Sequence, residues 1–273
     1  MKSDTISQRK PVMRLYNDNF QNYKRYNIPK AQLVIADIPY NIGVNAYASS
    51  PEWYVKGDSK NGESRKAGKA FFGTDTNFNI AEYFHFCNRL LRKEPKERGK
   101  APCMIVFCSF QQIQTVIQYA DRCGFKHYIP LVFCKSSSPQ VLKANMKIVG
   151  ATEYALVLYR EKLPKFRNDG NMVLNWFLWE RDGKDIPKIH PTQKPIKLLK
   201  RLISIFTDPG DVVIDPCAGS GTTLRAAYEL GRNSYGFEIV RGFCEAAWKT
   251  MLPGAEPYRP AETAEQTSLF LEG

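Results

Sequence analysis

Histidine is scarce in this chain, three residues in 273, and none of its seven cysteines stands in a CxxC pair. Both facts argue against a zinc site, and an odd cysteine number argues against a closed disulfide framework, so the expected compartment is reducing and cytoplasmic. Long apolar runs are missing too. No stretch approaches the ~20 apolar residues of a membrane span, and the opening MKSDTISQRKPV holds no apolar core of a signal peptide. Two nucleotide signatures fail. Gly219 and Gly221 are followed by Thr222, Thr223 and Leu224, so GxGxxG is not met, and there is no GxxxxGK run ending in Ser or Thr. Acidic residues are in deficit, 27 against 39 basic, for a formal charge of +12. Such an excess points to a polyanion as partner and says nothing of the fold. Apolar residues, at 43%, are ample for one large core, and the whole chain, 1–273, is expected to form a single domain with insertions.

The stretch from His190 to Leu224, HPTQKPIKLLKRLISIFTDPGDVVIDPCAGSGTTL, carries the densest local signals. Pro195 suits the first turn of a helix. Ile196, Leu198, Leu199, Leu202, Ile203, Ile205 and Phe206 then recur at helical spacing. Asp208-Pro209-Gly210 breaks that helix, and Val212-Val213-Ile214 reads as a buried strand ending in Asp215. The loop Ala218-Gly219-Ser220-Gly221 follows, with Thr222 or Thr223 placed to cap the next helix. Two glycines there let the backbone approach a ligand in the crevice outside the strand ends. The next strand, 233–239, ends in Glu238, 23 residues after Asp215, where a carboxylate can accept from both ribose hydroxyls. These residues favour a nucleoside ligand without phosphates.

HPTQKP, a helix and then DPCAGSGTT resemble the cofactor half of the permuted, β-class DNA amino-methyltransferases. These S-adenosylmethionine enzymes methylate the exocyclic nitrogen of adenine or cytosine. The resemblance implies an α/β fold, a doubly wound, mostly parallel seven-stranded sheet with circularly permuted motif order. It also implies S-adenosyl-L-methionine as cofactor, touched by Asp215, Ala218, Gly219, Gly221, Thr222 and Glu238, with Thr192 and Lys194 near the methionine carboxylate and His190 beside them. The family usually has Phe where this chain has Cys217, which should thin the packing under the methionine end. Pro216-Cys217 also resembles the Pro-Cys of cytosine-C5 methyltransferases, but it lies in the cofactor loop, on the wrong strand for a nucleophile.

The second centre is QLVIADIPY, 32–40, a buried strand with Asp37-Ile38-Pro39-Tyr40 at its carboxyl end. It resembles the family's catalytic Asp-Pro-Pro-Tyr, which makes Asp37, Pro39 and Tyr40 the catalytic residues and brings Asp37 to the cofactor as well. An exocyclic amine is a poor nucleophile because its lone pair is delocalised. A carboxylate and a main-chain carbonyl accepting its two hydrogens aim that lone pair at the sulfonium methyl, mostly a positioning effect. Tyr40 can stack on a base rotated out of the duplex. Ile38 replaces the family's first Pro: the carbonyl survives, but φ is not fixed. Asp rather than Ser at 37 tilts the target toward adenine by family habit.

Elsewhere the reading is of helices alternating with strands, which argues a parallel sheet covered on both faces. Strands begin or lie near Val12, Leu33, Cys103, Tyr128, Tyr154, Val212 and Tyr235. Nothing after the helix 241–251 reads as a strand, so one must come from the N-terminus; its end carries Asp18, whose family equivalent reaches the cofactor adenine. A basic, aromatic-bearing insertion at about 43–79 is a DNA-gripping flap or a solvated loop. Lys135 to Pro139 is a rim of the target cleft or a plain loop. A short target-recognition segment is expected at about 161–189, although Trp176, Phe177 and Trp179 read as local core. Lys194, Lys197, Lys200 and Arg201 form a solvated face or a stripe tracking phosphate. The expected function is methyl transfer to adenine N6 of duplex DNA, with no membrane partner and a homodimer among the open oligomeric states. Cytosine N4, an inactive DNA-binding relative, and an RNA or protein substrate stand as alternatives.

Overall fold

A computed structural model describes residues 10–40, 78–136, 141–143, 147–190, 192–252 and 254. Among these described residues, ten strands and five α-helices follow in chain order. They are β1 (Met13–Tyr16), β2 (Leu33–Asp37), α1 (Ile80–Leu90), β3 (Cys103–Cys108), α2 (Ile113–Arg122), β4 (His127–Lys135), β5 (Val141–Lys143) and β6 (Ile148–Val149). Then come β7 (Thr152–Tyr159), β8 (Trp176–Trp179), α3 (Ile196–Phe206), β9 (Val212–Asp215), α4 (Thr222–Glu229), β10 (Asn233–Phe237) and α5 (Arg241–Ala246). Eight strands form one sheet in the order β1-β10-β9-β2-β3-β7-β4-β8, and β5 and β6 make a separate hairpin. Strand β7 alone runs antiparallel to its neighbours β3 and β4.

The sheet has one strand more than expected. The addition is β8, which pairs parallel to β4 from Val132↔Trp176 to Lys135↔Trp179. Within the recognition segment expected at 161–189, Phe177 is therefore core, stacked on Phe133 at 5.5 Å, which in turn stacks on Phe107 at 4.9 Å.

The layers follow from the two-residue period of the strands. Val34, Ala36, Met104, Val106 and Ile214 face α1 and α2. Leu33, Ile35, Ile105, Phe107, Val157 and Val213 face α3 and α4. Every one of the seven apolar positions expected on α3 is buried. Its first free N–H, on Ile196, is capped by both carboxylate oxygens of Asp182, at 2.9 and 3.2 Å, so Pro195 precedes the helix instead of opening it. The N-cap of α4 is Gly221, left-handed at φ 78°, and neither Thr222 nor Thr223 caps it.

The basic insertion expected at 43–79 lies outside the described residues except for its last two, and Asn79 caps α1 by accepting from the N–H groups of Ala81 and Glu82. Most of the expected rim beyond Ser136 also lies outside them. Among the described residues no helix is long and apolar enough to cross a membrane.

Candidate active site

Four adjacent parallel strands each end in an acid. Along the sheet, β1, β10, β9 and β2 lead to Asp18, Glu238, Asp215 and Asp37. The chain winds outward in opposite directions from β9 and β2, with α4 on one face and α1 on the other, so the crevice between them is the topological switch point where such sheets bind ligands.

Each acid is held differently. Asp18 accepts from the N–H of Asn19 (2.7 Å), from Asn22 (2.6 Å) and from the Tyr26 hydroxyl (2.8 Å). Burial pushes its carboxyl up, but these bonds, with Arg25, outweigh it and leave it below the ordinary range. Glu238 accepts from the N–H groups of Gly219 (2.9 Å) and Val240 (2.7 Å), while burial lifts it. Asp215 accepts from the Cys217 N–H at 2.9 Å. Burial pushes it up to about 7, with Asp37 and Glu238 adding to the repulsion and Thr223 opposing it. Burial and the same three carboxylates push the Cys217 thiol well above its usual range, so no thiolate nucleophile is available there.

The loop after β9 is shaped to approach a ligand. Gly219 and Gly221 both hold positive φ, at 51° and 78°. Ala218 donates to the Phe237 carbonyl and accepts from Gly221 N–H, both at 2.8 Å. Beneath it β10 passes at Gly236, where a Cβ would meet Leu224 Cδ1 at 2.7 Å and Ala218 Cβ at 3.0 Å. Gly236 is a requirement of the site that sequence reasoning did not single out.

Asp37 sits in a chain of linked charges. Its Oδ2 accepts from Lys194 Nζ at 2.5 Å, and Lys194 also reaches Glu153 Oε2 at 3.1 Å. Glu153 in turn pairs with Lys135 and accepts from the Tyr40 hydroxyl at 3.3 Å. The Lys194 ammonium lies 5.2 to 5.7 Å from the ring centroids of Phe107, Trp179 and Tyr40. Asp37 Oδ1 is buried and has no hydrogen-bond partner among the described residues. Burial raises the Asp37 carboxyl and Glu153 adds to the rise; Lys194 and the Tyr40 hydroxyl oppose it. Burial alone would lower Lys194, but Asp37 and Glu153 hold it protonated.

Ile38 is fixed by a bond that proline could not make. Its N–H donates to the Phe107 carbonyl at 3.3 Å, and its side chain is core. The Pro39 carbonyl accepts from Gln112 Nε2 at 2.9 Å, whereas among the described residues the Ile38 carbonyl accepts from no side chain. Gln112, like Glu153, was not singled out in the sequence. An acid at the head of an otherwise apolar run, EYALVLY, was the available signal for Glu153.

His190 packs edge-on against Phe243 at 4.7 Å, and its Nδ1 lies 3.0 Å from Thr192 Oγ1. Burial, with Lys194 nearby, lowers it to about 4, so the ring is neutral. Gln193 ties this turn together, donating to the Pro187 carbonyl and accepting from Ile189 N–H. The expected basic stripe is not a free one. Lys194 is buried, Lys197 pairs with Glu180, Lys200 pairs with Glu229, and Arg201 lies over Phe177.

A sheet of this order, with carboxylates around the crevice at its switch point, is the fold of S-adenosylmethionine-dependent methyltransferases. A crystal structure of the M1.HpyAVI–SAM complex matches it with a TM-score of 0.62 at 23% identity, over 88% of this chain and 99% of that one. The cytosine-N4-specific PvuII DNA methyltransferase matches with a TM-score of 0.59 at 15% identity, over 89% and 90%. DNA adenine methyltransferase YhdJ of Escherichia coli (strain K12) is 29% identical over 248 residues, 82% of this chain and 77% of that protein. Residues 31–249 match the N6/N4 DNA methylase family, and the chain belongs to it.

Proposed function

We propose that the protein transfers a methyl group from S-adenosylmethionine to the N6 amine of adenine in duplex DNA. The observation that carries this reading is Asp37: one carboxylate oxygen held by Lys194, the other buried and, among the described residues, without a hydrogen-bond partner. A buried acceptor without a donor is costly, and a bound donor relieves that cost. An amine with two hydrogens fits, one to Asp37 Oδ1 and one to the Ile38 carbonyl.

The crevice also fits the cofactor. Asp18, Glu238 and Asp215 suit a cationic ligand, the left-handed turn at Gly219 and Gly221 admits it, and Glu238 is placed for ribose hydroxyls. When bound, S-adenosylmethionine would supply a methyl carbon made electrophilic by its sulfonium, the pair of the broken C–S bond staying on sulfur as a neutral thioether. Asp37 and the Ile38 carbonyl turn the amine lone pair out of the ring and toward that carbon, a positioning effect. As the new C–N bond forms, the nitrogen must shed a proton, and a carboxylate raised by burial is a better acceptor for it. Tyr40 lines the same pocket, and its ring can stack on a base turned out of the duplex, worth about 1–3 kcal/mol. Adenine is favoured over cytosine by the printed name of the Escherichia coli relative and by the acid at position 37.

The test is methyl transfer from labelled S-adenosylmethionine to unmethylated genomic DNA, followed by digestion to nucleosides. Wild type is expected to yield N6-methyladenine, and Asp37→Ala to lose at least ~100-fold in rate while its cofactor dissociation constant changes little. N4-methylcytosine would overturn the base, and absence of any methylated nucleoside would overturn the reaction.

A further inference from the structure

We propose that Glu153 is a positioning residue for methyl transfer, acting through Lys194 to keep one oxygen of Asp37 free for the target amine. The inference rests on the functional reading above. Register brings the three side chains together. Asp37, Phe107 and Ala155 lie in one row across β2, β3 and β7. Because β7 is antiparallel, Glu153, two residues before Ala155, stands beyond that row at the crevice and on the α3 face. Lys194, just ahead of α3, drops its ammonium between the two carboxylates.

An ammonium has three donors and no preference for one acceptor. Facing Asp37 alone, it would bridge both oxygens, occupying the acceptor that the amine needs. Glu153 draws one donor away, and Lys135 and Tyr40 hold Glu153 in place. Both lysines also lie against Trp179, at 4.6 Å for Lys135 and 5.4 Å for Lys194, which leaves them little room to swing.

The charges around Asp37 set the sign of the test. From β7 comes Glu153, from the turn before α3 Lys194, from β4 Lys135, from the end of β2 Tyr40, from β3 Cys108, and from β9 and its loop Asp215 and Cys217. Glu153→Gln removes the nearest like charge and leaves Asp37 as the one carboxylate facing the Lys194 ammonium. Asp37 should then ionise at lower pH. Lys135→Met should do the opposite, because Glu153, released from Lys135, draws Lys194 toward itself.

The experiment measures the carbon NMR titration of the Asp37 carboxyl in the DNA-free protein, assigned with Asp37→Asn, together with kcat against pH. Glu153→Gln is expected to move the Asp37 midpoint down and Lys135→Met to move it up, each by about one pH unit. In Glu153→Gln kcat is expected to fall about 10- to 100-fold, with the acid limb following the midpoint. Its cofactor dissociation constant should stay within about twofold. Midpoints unmoved in both variants, or a moved midpoint with wild-type kcat, would overturn the proposal. If Glu153→Gln does not fold, Lys135→Met decides by the direction of its own shift. Failure of the wild type to methylate any DNA would instead overturn the functional reading, since the titration is read without DNA.

Discussion

At the scale of single residues, burial sets the chemistry more than sequence neighbours do. Asp215 is the clearest case, a carboxyl at the end of β9 pushed from 3.8 up to about 7. A folded-state value above the unfolded one stabilises the protein fully below the unfolded value, and that stabilisation is lost as pH rises through the folded value. Asp215 therefore weakens the ligand-free protein as pH climbs from about 4 to 7. Each tenfold displacement in proton affinity is worth about 1.4 kcal/mol. Asp215→Asn should remove a loss of a few kcal/mol over that window. The check is melting temperature from pH 4.5 to 8, where the variant curve should fall less steeply than the wild-type one. Parallel curves would show that the carboxyl titrates alike in the folded and unfolded chain. Ile38 illustrates another residue-scale point: the φ restriction of proline is replaced by an N–H bond to Phe107, so the turn keeps its order by different means.

At the scale of elements, α3 and the turn before it do two jobs. The helix buries seven apolar side chains against β2, β3 and β9, and its leading turn delivers Lys194 to the crevice. Its start is fixed by Asp182, which comes from the segment between β8 and α3 and accepts from Ile196 N–H. Asp182→Ala should therefore cost about 1 kcal/mol of stability, seen as a lower urea midpoint with an unchanged slope. It should also loosen Lys194, lowering kcat before KM. A full-strength kcat in the destabilised variant would separate the cap from the catalytic cluster. Strand β10 serves the site in a different way, since only glycine at 236 lets it pass beneath Ala218 and Leu224.

At the scale of the molecule, the charge distribution is divided. Acids gather at the crevice, where a cationic cofactor fits, although the chain as a whole carries +12. A basic exterior binding a polyanion releases counterions, so log affinity falls linearly with log salt. KM for DNA should rise at least tenfold between about 50 and 200 mM salt, while the cofactor dissociation constant moves little. A steep salt dependence of both would mean that the basic groups act at the crevice itself. Part of the opposite charge is already spent inside the fold: Lys165, Arg167 and Arg92 are tied to Asp208 and Asp211 at the far end of the sheet.

The sequence by itself determined the alternation of strands and helices, the buried face of α3, the two-glycine loop after β9, and the acids that end β2, β9 and β10. All of these follow from short-range rules: period, turn chemistry, and the position of a polar residue at the edge of an apolar run. Only the tertiary structure decided which charges meet. Lys194, expected near the methionine carboxylate and within a basic stripe, is buried between Asp37 and Glu153, which lie 157 and 41 residues away along the chain. Glu153 reaches the site because β7 runs against its neighbours, and β8 turns an aromatic cluster into an eighth strand of the sheet. Pairing direction and the partners of a buried charge depend on contacts between distant segments, so no local pattern encodes them.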